Sequence, residues 1–65
     1  MIEQVDEIRK LLSVKEVSEI LGCTDWLTRQ LIYRGELVST KVGRLERIHP
    51  ADLARYLKRS KRRVE

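Results

Sequence analysis

Arg29 and Gln30 stand side by side among Asp25, Trp26 and Tyr33. A guanidinium can make a paired hydrogen bond to guanine, and a carboxamide can do the same to adenine, in the major groove of a duplex. Trp26 and Tyr33 would add planar surface for a sugar or a thymine methyl. Asp25 would repel phosphate, so it is expected to cap a helix or to accept from a cytosine amino group. A second set is suited to phosphate oxygens: Thr24, Arg34, Lys41, Arg44 and Arg47, with Arg44 also placed to enter a minor groove. A third is the run Lys58, Arg59, Lys61, Arg62 and Arg63. Basic residues suit a helix C-terminus, but five cations in six residues exceed what a helix end needs, and phosphate contact is the preferred reading.

Other chemistries lack their residues. One cysteine, Cys23, cannot close a disulfide within the chain, and a lone thiol reads as a small buried hydrophobe. One histidine, His49, with one cysteine and no suitably spaced carboxylate makes no metal site. No nucleophile and base fall at a readable spacing, so neither an enzyme nor a cofactor is expected. No apolar run approaches the roughly 20 residues of a membrane span or the 7–15 of a signal-peptide core, which makes the cytoplasm the expected location.

The elements that must hold these residues can be read from capping signals and periodicity. Ser13-Val14-Lys15-Glu16 is a capping box. Val14, Val17, Ile20 and Leu21 form the apolar stripe of a helix over 14–21, which Gly22 ends. Thr24 caps the next helix, over 25–34, with Gly35 beyond it. Only Gly22, Cys23 and Thr24 separate the two, and such a spacing is a helix-turn-helix signature. On the second helix Leu27, Thr28, Leu31 and Ile32 fall on one side, and Asp25, Trp26, Arg29, Gln30 and Tyr33 on the other. That second face reads as a contact surface, although Trp26 could equally pack on the edge of its own domain.

Beyond Gly35, Ser39-Thr40-Lys41-Val42 and Leu45-Glu46-Arg47-Ile48 read as two strands around Gly43-Arg44, a type II′ turn. Thr40, Val42 and Ile48 are expected to face inward. Pro50 suits the first position of a last helix, whose Leu53, Tyr56 and Leu57 are spaced for burial. Residues 2–10, with Ile2, Val5 and Ile8 at spacing three, form an arm or a short helix. The expected organisation is an arm at 1–10, a domain at 11–59 and a basic tail at 60–65. The fold class is mainly α with a small β-hairpin: a winged helix-turn-helix of three helices plus a wing.

Sixty-five residues make one small domain, with net charge +4 and a pI near 9.6. The charge is unevenly spread. Residues 1–28 hold three basic residues against six acidic ones, a net of −3, and residues 29–65 hold eleven against four, a net of +7. Such asymmetry is an electrostatic footprint for a polyanion or an acidic membrane surface.

The order of elements resembles the excisionase-type winged helix-turn-helix domain, a small relative of the MerR-like DNA-binding domains. The resemblance is carried by Leu12-Ser13-Val14-Lys15-Glu16-Val17, Ile20-Leu21-Gly22, Leu31-Ile32-Tyr33-Arg34-Gly35-Glu36-Leu37, Lys41-Val42-Gly43-Arg44, Arg47-Ile48, Asp52-Leu53 and Tyr56-Leu57, and it covers about residues 11–58. It implies that the second helix enters a major groove of double-stranded DNA and that the wing contacts phosphate or the neighbouring minor groove. It also implies a phage or plasmid excision factor that binds repeated sites, bends attachment-site DNA, associates head to tail on it, and directs a partner integrase (a recombinase) to excision. Other members are small transcription regulators. The sequence departs from the family pattern at Asp25-Trp26, where small polar or basic residues are usual, at Thr28, commonly valine, and at Arg29, commonly tyrosine. With no effector domain in view, a recombination accessory factor is the expected role. The rival from another class is a protein-interaction adaptor using the Trp26/Tyr33 face.

Overall fold

The computed structural model describes residues 11–61. The arm at 1–10 and the tail residues Arg62 and Arg63 lie outside them. In chain order the elements are β1 (Leu12–Ser13), α1 (Val14–Leu21), α2 (Asp25–Tyr33), β2 (Thr40–Val42), β3 (Leu45–Ile48) and α3 (Pro50–Ser60).

Each boundary has a local cause. The Ser13 hydroxyl accepts from the Glu16 amide at 3.1 Å, and the Glu16 carboxylate accepts from the Ser13 amide at 2.9 Å, which completes the capping box of α1. Gly22 ends α1 with φ 72, and the amides of Gly22 and Cys23 return to the carbonyls of Glu19 and Ser18. The Thr24 hydroxyl accepts from the Leu27 amide at 3.1 Å and starts α2. That helix ends at Tyr33 with Arg34 as its cap, one residue short of the expected 25–34, because the amides of Gly35 and Glu36 fold back on the carbonyls of Ile32 and Leu31. Pro50 opens α3 directly after His49.

The hairpin pairs Val42 with Leu45 across Gly43-Arg44. Gly43 has φ 62 and Arg44 does not have positive φ, as a type II′ turn requires. Ser39 falls before β2 instead of within it. A third strand extends the expected hairpin. β1 pairs antiparallel with β3, Leu12 opposite Ile48 and Ser13 opposite Arg47, so the sheet order is β1-β3-β2. Two residues are too short to show an alternating pattern, which hides β1 from a sequence reading.

The core is Val14, Val17, Leu31, Leu37, Ile48 and Leu53, with Leu12, Leu21, Ile32 and Tyr56 packed against it. Three inward assignments need correction. Ile20 is 57% exposed, because the buried arc of α1 centres on Val17, Leu21, Val14 and Ser18, and Ile20 lies beyond its edge. Val42 is exposed near the wing tip, where the hairpin has outrun the helices that would cover it, and Ile48 alone of the three hairpin positions is fully buried. Leu57 is 44% exposed on α3.

Candidate nucleic-acid interface

The joint between α1 and α2 is held by polar groups inside the core. Ser18 and Thr28 are both buried, with their hydroxyls 2.7 Å apart. The Ser18 hydroxyl donates to the Val14 carbonyl at 2.8 Å. A hydroxyl has one hydrogen to give, so Ser18 must accept from Thr28. Thr28 has then spent its own hydrogen and accepts from the Cys23 thiol at 3.4 Å. One relay, Cys23 to Thr28 to Ser18 to Val14, runs from the turn through α2 into α1. Cys23 is therefore half-buried and hydrogen-bonded rather than a plain hydrophobe. Among the described residues no buried side-chain polar atom lacks a partner. Thr28 makes a hydrogen bond between the helices that a valine in its place could not.

With Thr28 and Leu31 turned inward, the opposite side of α2 is open. Trp26 is 65% and Tyr33 87% exposed, Arg29 is exposed, and Gln30 is half-buried. At that exposure Trp26 stands mostly clear of the other described residues instead of packing into them.

A cleft of about 260 Å³ separates this helix from the sheet, lined by Ser13, Lys15, Asp25, Arg29 and Arg44 to Arg47. Four cations and two carboxylates share it. Asp25 occupies the first turn of α2 within this cleft, where the positive helix end favours it.

The expected site residues are gathered unevenly. Arg29, Asp25, Arg44 and Arg47 meet in the cleft, Tyr33 lines a smaller recess of about 160 Å³ with Arg29, Ile32 and Glu46, and Trp26 and Gln30 lie along the outer face of α2. Thr24 spends its hydroxyl as the helix cap. Arg34 lies 3.9 Å from Glu36. Lys41 is bound to Glu46 at 3.3 Å. Arg47 is half-buried and donates to the Glu46 carbonyl at 2.8 Å. Arg44 sits at the exposed turn. Lys58 and Lys61 are exposed at the end of α3, and Arg59 reaches back to donate to the Glu36 carbonyl.

Glu46 is the residue a sequence reading misses. Its carboxylate faces α2 from the middle of the wing and accepts from the Ser39 hydroxyl at 2.5 Å. That hydrogen bond does most to hold the Glu46 carboxyl below its ordinary 4.5. Burial pushes the other way, and the charges of Lys41 and Arg29 add to the lowering. A signal for part of this was present. A two-residue turn at Gly43-Arg44 places Lys41 directly across from Glu46, an opposite-charge cross-strand pair.

Comparison with known proteins agrees with this geometry. A family model described as a helix-turn-helix domain matches residues 11–61. The chain belongs to that helix-turn-helix family, and with its paired helices, outward-facing α2 and three-stranded sheet it is a winged, DNA-binding helix-turn-helix domain of the kind found in excisionase-type proteins. No curated protein and no solved structure matches the chain. Among the described residues no helix is long and apolar enough to cross a membrane.

Proposed function

We propose that the domain seats α2 in the major groove of a specific duplex site, with the β2–β3 wing on the flanking backbone. The observation that carries this reading is the outer face of α2. Arg29 and Gln30 stand there beside two exposed aromatics, at the rim of a cleft that also holds Arg44 and Arg47. In this arrangement Arg29 and Gln30 read base edges, and Trp26 and Tyr33 pack on sugar or thymine methyl. Arg44 enters the minor groove or holds phosphate, and Arg34, Arg47, Lys58 and Lys61 supply phosphate contacts. Lys41 and Arg59, already engaged within the domain, contribute mainly by positioning the wing and α3.

Within this reading the protein is an excision factor. It binds attachment-site DNA as adjacent copies, bends it, and favours the excisive reaction of an integrase. The resemblance of the Arg34-Gly35-Glu36-Leu37 and Val42-Gly43-Arg44 runs to excisionase-type domains supports this. The test is a mobility shift on random and genomic duplexes at two salt concentrations, followed by sequencing of the bound fragments. Enrichment beside integrase attachment points is expected. Enrichment at promoters instead would make the protein a transcription regulator.

The exposure of Trp26 and Tyr33 also favours a second reading, an adaptor that docks this face on a protein. A salt-insensitive partner interaction that needs Trp26 but neither Arg29 nor Arg44 would establish it in place of DNA binding.

A further inference from the structure

Away from α2 the domain carries an apolar groove of about 450 Å³, lined by Leu12 of β1, Ile20 of α1, and Pro50, Leu53, Ala54 and Leu57 of α3. No residue of α2 or of the wing strands lines it. Two of its walls are the side chains that their helices pattern for burial and the described residues leave open, Ile20 and Leu57. Solvated apolar surface of that kind, in a groove rather than scattered singly, marks a contact site.

The sequence supplies a cover of the matching kind. Ten residues precede Leu11, and among them Ile2, Val5 and Ile8 recur at spacing three. The segment joins the described chain beside the groove, since Leu12 is itself a lining residue. From Leu12 back to Ile8 is four residues, which span at most about 14 Å, and back to Val5 is seven, at most about 25 Å, so both can reach along the groove.

Charge fixes the orientation. Lys58 stands four residues after Ala54 and so continues the groove-facing line of α3 past its apolar part, and Lys61, the extended cap residue after Ser60, adds a second exposed cation at that end. The opposite rim is acidic, because Glu16 stands four residues before Ile20 on α1. Residues 1–8 contain Glu3, Asp6 and Glu7 and no lysine or arginine. Those acids match the α3 rim.

We propose that residues 2–8 of the chain dock in the groove between α1 and α3 of the same molecule. Ile2, Val5 and Ile8 cover Ile20, Leu53 and Leu57, and Glu3, Asp6 and Glu7 lie along Lys58 and Lys61. The apolar walls of the groove are thus an internal binding site for the leading segment, apart from α2 and the wing, while Lys58 and Lys61 at its rim are shared between the segment's acids and the phosphate contacts of the proposed DNA-binding mode.

The test uses the full chain. In a Cys23→Ser background, which keeps a donor at that position, Ile8→Cys is combined with Leu57→Cys and oxidised with copper-phenanthroline. A monomer carrying an internal disulfide is expected, well above the yield of an Ile8→Cys, Tyr33→Cys control. Disulfide-linked dimers in place of that monomer would assign the groove to a second copy and overturn the proposal. Yields equal to the control would also overturn it. A second measurement avoids engineered cysteines. Ile20 is exposed, so Ile20→Asp leaves the core intact. It is expected to speed amide exchange in residues 2–8 by at least about tenfold while leaving α2 unchanged. Unaltered exchange in residues 2–8 would overturn the proposal.

Discussion

At the scale of single residues, the direction of the Cys23–Thr28–Ser18–Val14 relay makes the stability of the helix pair asymmetric. Ser18→Ala strands the Thr28 hydroxyl without its acceptor in a dry joint, which costs about 1–3 kcal/mol. Adding Thr28→Val removes the stranded group along with its need. The double variant is therefore expected to regain stability over Ser18→Ala alone in urea unfolding, and further loss would disprove the relay. Arg29 tests the other face of the same helix. Arg29→Ala is expected to cost about 1–3 kcal/mol on the cognate site with less effect on random DNA, measured by mobility shift at fixed salt. Equal losses on both would remove its base-reading role. Thr28 and Arg29 are neighbours in sequence, yet the first serves the joint and the second faces outward. The sequence showed both faces through helical spacing. It did not show the relay, because which hydroxyl gives its hydrogen to which depends on backbone carbonyls that only the fold brings near.

At the scale of elements, the wing is the part whose chemistry depends most on its neighbours. Glu46 ties β3 to Ser39 and Lys41 and faces Arg29 on α2. Its folded-state pKa is lowered, so the stability it contributes is fully present above its ordinary value near 4.5 and is lost as pH falls through the lower folded value. Unfolding curves of the native chain and of Glu46→Gln are expected to differ by a constant amount above about pH 5 and to converge in acid. A difference that persists at low pH would assign the effect to shape rather than charge. The turn gives a separate expectation. Gly43 has φ 62 with open space around it, so Gly43→Ala meets backbone strain alone, of about 1–2 kcal/mol. The loss should appear in thermal unfolding, and Gly43→Asn should recover part of it. Helix starts and stops were legible because capping boxes, glycine ends and Pro50 are local signals. Strand β1 was not, since two residues become a strand only when β3 lies beside them. Spacing puts Ile20, Val42 and Leu57 inward because it names a stripe without saying how wide the covering surface is.

At the scale of the whole molecule, the uneven charge governs how binding responds to salt. The +7 half holds α2 from Arg29 onward, the wing, α3 and the tail. Replacing Lys61, Arg62 and Arg63 by alanine is expected to flatten the dependence of log affinity on log salt by about 0.9 for each phosphate that the tail neutralises. An unchanged slope would place the tail off the DNA. The split between an acidic and a basic half was plain from residue order. Which cations are spoken for within the domain was not, because Lys41 and Arg59 find their partners only through the sheet register and the approach of α3 to Glu36. One last consequence follows from Ser13, which is both the final residue of β1 and the cap of α1. Sheet and helix pair are spliced there with no intervening residue, so wing and α2 behave as the jaws of a caliper whose opening is set by the protein. In the proposed binding mode a duplex must present the right groove width to be gripped by both jaws at once, and sites of equal base sequence at the contacted positions would then be sorted by the stiffness of the DNA between them.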